Sequence, residues 1–526
     1  MRRRNARPQT SDSDPTTTMF VHNPNSRKPK SLFCRLWIPV AVSALIVVFL
    51  VLYIFSRRRF ANNFGVIIDG GSTGTRIHVF LYRMGRDFMP EIDFEGSAAI
   101  RVAPGLSSFA AEPEKAGELI RELVEFGKGR VPRDLWGDTE VRLMATAGLR
   151  LLDVGAQERI LDACRKVLKF SGFRFQDDWA SVISGSDEGI YAWVAANYAL
   201  GTLGSHPQNT TGIIELGGAS AQVSFVSNEP VPPEFSHVLK FGEVTYNLYS
   251  HSFLHLGQNV AYRSLRELLN SRDFKSSIES DVTEYKDPCT PKGYSDGVRL
   301  SKIGGVLSSQ EKYHPVAHAN GNFSECRTSA LMLIQNKKEK CLYATCNLGS
   351  AFIPKLNGRF LATENFFHTS KFFELRPTSL LSDMMLAGER FCQEDWSKLK
   401  QKYPTLEEED LLQYCFSSAY IIALLHDSLG IALEDTRIQF TNQVGGIPLD
   451  WALGAFIMQR SWKPNADHLS LVTATVYEDF GFLSLCIVSI LLISMAWCAS
   501  RWKKRTQMKT IYDMEKGRYI IRHIKR

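Results

Sequence analysis

The 526-residue chain has no Cys-x-x-Cys pair and no Cys/His cluster with metal-ligand spacing, which argues against a structural zinc site. None of its glycine-rich runs is followed by Gly-Lys-Ser/Thr, so a P-loop is excluded. Charge is missing altogether from residues 36–55 (LWIPVAVSALIVVFLVLYIF) and 480–499 (FGFLSLCIVSILLISMAWCA). Each run has the roughly 20 residues a helix needs to cross a hydrocarbon core, and core helices rarely run so far uncharged. A cleaved signal peptide does not fit the first: the run is too long and starts late, and Ser56-Arg57-Arg58-Arg59 is no small-residue cleavage site. Apolar residues at 44% and aromatics at 11% exclude a disordered or collagen-like chain.

The formal net charge is +7, a balance that invites a nucleic-acid partner. Its distribution points elsewhere. Residues 1–35 carry +6 and residues 501–526 carry +8, leaving −7 for everything between. The positive-inside rule then puts both tails, 1–35 and 501–526, in the cytosol and residues 60–479 outside it. Tails so charged suit an anionic membrane surface, and no nucleic-acid partner is expected. Six cysteines cluster between 289 and 415, an even set that suggests disulfides in a non-cytosolic domain, while Cys164 is left over and expected to be inert. Asn209-Thr210-Thr211 and Asn322-Phe323-Ser324 are glycosylation acceptors on the same side.

Within residues 60–479 one plan occurs twice, 146 residues apart. Phe64–Ile68 reads as a buried strand and Ile77–Tyr82 as the next, with Asp69, Gly70, Gly71, Ser72, Thr73, Gly74, Thr75 and Arg76 between them. Gly212–Ile214 is followed by Glu215, Leu216, Gly217, Gly218, Ala219, Ser220, Ala221 and Gln222, then by the strand Val223–Val226. An acidic residue, glycines and small residues between two strands, repeated a domain length away, suggest a duplicated unit. Glycines let backbone N–H groups turn toward a ligand, and such nests bind phosphate oxygens. The acidic residue ahead of each loop can hold a hard cation directly or through water. Between the loops, Val141–Met144 reads as a strand ending at Thr146. Ile190–Tyr198 reads as a helix capped by Ser186 or Asp187, with Glu188 in or near its first turn. A carboxylate there should have a lowered pKa and be a weak base.

Five segments in order resemble the conserved regions of the apyrases, or nucleoside triphosphate diphosphohydrolases, with membrane-bound plant-type members most similar. They are Asp69–Arg76 (DGGSTGTR), Ala145–Arg150 (ATAGLR), Ser186–Trp193 (SDEGIYAW), Glu215–Gln222 (ELGGASAQ) and Val444–Gly454 (VGGIPLDWALG). The resemblance covers residues 62–475. It implies an α/β actin/Hsp70/hexokinase-like fold of two ribonuclease-H-like lobes around a central cleft, with lobe I at 62–186 and 440–475 and lobe II at 187–439. It also implies hydrolysis of the terminal phosphates of nucleoside tri- and diphosphates, with Ca2+ or Mg2+ as cofactor.

Carried over position by position, the resemblance makes Glu188 the catalytic base. Ser220 and Gln222 position the attacking water, and Thr146 lies near the terminal phosphate. Asp69 and Glu215 hold the metal through its water shell. Both loops, Gly70 to Arg76 and Leu216 to Ala219, take the phosphates. The family's disulfides correspond to Cys289–Cys326, Cys341–Cys346 and Cys392–Cys415. Position 215 holds Glu where many relatives have Asp, which should keep activity and alter metal preference. Phe366, Phe367 and His368 lie in the base-stacking region without a firm match, and a core role for the Phe pair is at least as plausible. A kinase or exopolyphosphatase on the same fold, and a catalytically inactive nucleotide-binding or adhesion protein, are the alternatives. Protein partners and the choice between Golgi and plasma membrane are left open by the sequence.

Overall fold

The computed structural model describes residues 62–85, 89–277, 284–294, 316–335, 348–461, 507–513 and 517–524, with Ile46, Tyr343 and Cys346. Both expected membrane spans, 36–55 and 480–499, lie outside the described residues save Ile46. Among the described residues no helix is long and apolar enough to cross a membrane.

Two mixed sheets organise the chain. The first contains β1 (Asn63–Gly70), β2 (Thr75–Met84), β3 (Pro90–Val102), β4 (Glu140–Ala145) and β5 (Ala180–Val182) in the order β3-β2-β1-β4-β5. The second contains β6 (Gly212–Leu216), β7 (Ser220–Val226), β8 (Ser236–Phe241), β9 (Val244–Leu254), β10 (Phe360–Glu364) and β11 (Ile438–Phe440) in the order β11-β10-β6-β7-β9-β8. The duplicated plan is real. β1 pairs antiparallel with β2 and parallel with β4, and β6 pairs antiparallel with β7 and parallel with β10. Strands such as β1 read as continuous apolar runs because each face of the sheet is covered.

Helices cover the sheets for legible reasons. α1 (Pro113–Lys128) starts with proline at its first position and buries Ala116, Leu119, Ile120, Leu123 and Val124, three or four residues apart. α2 (Val154–Lys169) is capped by Asp153, whose carboxylate accepts from the Ala156 N–H at 2.9 Å. Cys164 is buried on α2 and burial pushes its thiol up to about 12, so it is inert as expected. α3 (Gly185–Ala199) is apolar nearly all round, because it lies in a core with residues of both sheets and of the late helix Trp451–Ser461. Gly454 permits the approach: a Cβ there would run into the Tyr191 backbone carbonyl.

Disulfides join Cys289 to Cys326 and Cys392 to Cys415, as the resemblance implies. Cys341 of the third pair lies outside the described residues. Asn209 is exposed, whereas Asn322 is half-buried and its side-chain oxygen caps the helix Phe323–Gln335 at the Glu325 N–H. Gln507–Asp513 and Arg518–Ile524 form an antiparallel hairpin inside the basic C-terminal tail. Charge counting alone does not anticipate it.

Candidate active site

The two glycine loops close tightly and face one another. The first turns between the paired Gly70 and Thr75. A Cβ on Gly71 would lie 2.6 Å from the Gly74 carbonyl, so a side chain there cannot be accommodated without reshaping the turn. The second is closed by the Gly217 N–H donating to Ser220 O at 3.0 Å. Its Gly218 carbonyl accepts from the Asn259 and Val260 N–H groups at 3.0 and 3.1 Å. A Cβ on Gly218 would stand 2.8 Å from both Ser72 Oγ and Thr73 Cγ2. The loops therefore approach to within a side chain's breadth, and Gly218→Val should wedge them apart. Misplacing reacting groups by about 1 Å can cost on the order of a hundredfold. A loss of that size in kcat/KM, with an unchanged circular dichroism spectrum, is the expected outcome.

Asp69 and Glu215, each the acidic residue ahead of its loop, are 5% and 4% exposed. Asp69 Oδ1 and Glu215 Oε2 are buried without a hydrogen-bond partner. Burial raises both carboxyls well above their ordinary range. Asp450, Glu188 and Glu364 push Asp69 further up, against the pull of Arg76, and Glu188, Glu364, Asp450 and Asp69 do the same to Glu215. Such a cluster of buried acids calls for a counter-charge. Among the described residues no three His, Cys, Asp or Glu side chains could hold a metal directly. Two orphaned carboxylate oxygens therefore fit a divalent cation that keeps waters of its own.

On one side of these carboxylates lies Glu188. Its helix is capped by Ser184, whose hydroxyl oxygen accepts from the Asp187 N–H at 3.0 Å, and not by Ser186 or Asp187 as the sequence suggested. The expected lowering of the Glu188 pKa is also overturned. Burial raises it. Arg150 opposes that rise, donating from Nη2 to Glu188 Oε2 at 2.5 Å. Gln222 stands beside Glu188 and also opposes the rise, and its Nε2 donates to Ser220 Oγ at 2.6 Å and to Ser252 Oγ at 3.3 Å. Thr146 is buried beside the first loop, with its N–H on the Gly70 carbonyl at 3.1 Å. The structure thus brings Glu188, Ser220 and Gln222 together and sets Thr146 against the first loop.

On the other side, Arg76 turns toward carboxylates: its Nη1 lies 3.6 Å from Asp450 Oδ2 and 3.8 Å from Glu364 Oε1. His78 Nε2 lies 3.4 Å from the same Asp450 oxygen, and burial lowers its pKa. Phe366 is fully buried, a core residue, while Phe367 is half-exposed and His368 exposed. Sequence reasoning assigned no role to Arg150, Ser252, Glu364 or Asp450. Arg150 and Asp450 stood inside quoted motifs, so an unpaired charge within a motif was the available signal. For Ser252 and Glu364 there was none.

An α/β fold of two sheets whose loops converge on buried carboxylates defines a class of two-lobed phosphate-handling proteins. The comparisons narrow it: the chain belongs to the GDA1/CD39 (nucleoside phosphatase) family, whose model matches residues 58–472, and is a nucleoside phosphatase. It is 52% identical over 521 residues to probable apyrase 6 of Arabidopsis thaliana, covering 97% of this chain and 94% of that one. It is 29% identical to ectonucleoside triphosphate diphosphohydrolase 1 of Mus musculus, covering 82% and 88%. The crystal structure of a nucleoside triphosphate hydrolase from Neospora caninum shares the fold, with a TM-score of 0.57 at 18% identity over 82% of this chain and 98% of that one.

Proposed function

We propose that the chain hydrolyses the terminal phosphoanhydride bonds of nucleoside tri- and diphosphates, down to the monophosphate. The observation that carries this is the buried Glu188, hydrogen-bonded within reach of Ser220 and Gln222 and flanked by two facing phosphate loops. Loop N–H groups and hydroxyls bind and orient the phosphates. Ser220 and Gln222 hold a water in line with the leaving phosphate, and Glu188 takes its proton. Asp69 and Glu215 would hold a divalent cation, Ca2+ or Mg2+, through its water shell, and when bound it would neutralise phosphate charge. Lobe I (62–186 and 440–475) and lobe II (187–439) enclose the cleft, and residues 36–55 and 480–499 anchor the protein with both tails cytosolic. The catalytic domain then faces the lumen or the outside.

The test is phosphate release from a nucleotide panel. ATP and ADP should yield phosphate, AMP should accumulate unhydrolysed, and a chelator should stop turnover until Ca2+ or Mg2+ is returned. Undiminished turnover in excess chelator would overturn the metal assignment.

A further inference from the structure

The order of strands gives the cleft two different ends. In the first sheet β4 and β3 lie on opposite sides of β1, and in the second β7 and β10 lie on opposite sides of β6. Asp69 and Glu215 end the central strands β1 and β6, so they mark the middle. At one end stand Arg150, just after β4, and Glu188, Gln222 and Ser252, the last two on β7 and β9. At the other end Arg76 of β2 meets Glu364 of β10. The water-positioning groups occupy the first end only, so the phosphorus under attack lies there. The rest of the substrate must extend past the carboxylates toward the second.

At that second end stands Arg101, near the end of β3 and outside all five motif segments. Its Nη2 donates to Thr73 Oγ1 of the first loop at 2.9 Å. Its guanidinium lies where a Cβ on Gly74 would be, 3.1 Å from the Cζ carbon, so Gly74 is small to let Arg101 lie across the loop. Arg76 is its direct cross-strand partner, and Arg76 already has Glu364 and Asp450 close by. Among the described residues no carboxylate lies within ion-pair distance of Arg101, and its side chain donates to Thr73 alone. His368, on the helix Asn365–Phe372 of the opposite wall, is near enough to feel the charge of Arg101. An exposed guanidinium leaning on a phosphate loop, with its other N–H groups uncommitted, has the fork geometry that suits a phosphate.

We propose that Arg101 binds the phosphate group that stays with the nucleoside, at the end of the cleft away from Glu188, and so sets substrate affinity without taking part in the attack. This rests on the reading of the loops as phosphate-binding. Arg101→Ala, in the full chain, should raise KM for ADP by about ten- to a hundredfold, the size of a charge-assisted hydrogen bond lost. kcat should stay within a few-fold. Inhibition by AMP, which carries only the retained phosphate, should weaken by a similar factor, while inhibition by inorganic phosphate should not change. Arg101→Lys should recover part of the affinity. A merely structural role, through a loosened first loop, would weaken AMP and inorganic phosphate equally, and that result would overturn the proposal. So would unchanged KM and AMP inhibition. Absence of any phosphate release from ADP by the unsubstituted protein would instead sink the functional reading itself.

Discussion

Glu188→Gln is expected to reduce kcat for ATP and ADP by two to four orders of magnitude, the usual contribution of a positioned base. Nucleotide binding should survive, because the loops proposed to hold the phosphates are separate from the helix that carries Glu188. Glutamine preserves the size of the side chain and can still accept a hydrogen bond from Arg150. Only the capacity to take a proton is removed. Calorimetric titration of the variant with ADP, beside a phosphate-release assay, reads both quantities. Retained turnover would remove Glu188 from its role.

Arg150→Met should move the acid limb of the rate profile to higher pH. Burial raises the Glu188 pKa and Arg150 opposes it through its charge and its 2.5 Å hydrogen bond. Without the guanidinium the carboxyl keeps its proton to a higher pH. Since Glu188 in its proposed role as base must be ionised, activity should be lost as pH falls through that raised value, sooner than in the unsubstituted enzyme. A charge-assisted hydrogen bond is worth about 1.5–3 kcal/mol, and a pKa unit corresponds to about 1.4 kcal/mol, so the limb should shift by about one to two pH units. A lower kcat with an unmoved acid limb would show that Arg150 acts on the substrate and not through Glu188.

The loops were legible because their chemistry is local. Glycine, small residues and a preceding acid within eight positions announce a backbone nest wherever they fall between strands, and the 146-residue repeat marked the two halves. Glu188 lies in one of the motif segments, but the rise of its pKa could not be read. The sequence shows a carboxylate near a helix start, where the helix charge favours ionisation. Burial acts the other way and is set by tertiary packing, while Arg150 and Gln222, which oppose it, stand more than thirty residues away in the sequence. The cap was misplaced by two or three residues because Ser184, Ser186 and Asp187 are all competent caps and the local sequence does not rank them. Glu364 and Asp450 reach the cleft from sequence positions more than a hundred residues beyond either loop. A pattern search has no signal for such a meeting. The acidic charge of residues 36–500 has a local counterpart here, since carboxylates gathered at Asp69 and Glu215 need a cation before they can receive an anionic substrate.

Direct attack by water on the terminal phosphorus can be read from turnover of ADP in 18O-water. One solvent oxygen should appear in each inorganic phosphate released and none in the AMP, with no phosphate passed to an added alcohol or sugar. Label in the AMP, or phosphate transferred to an acceptor, would contradict it.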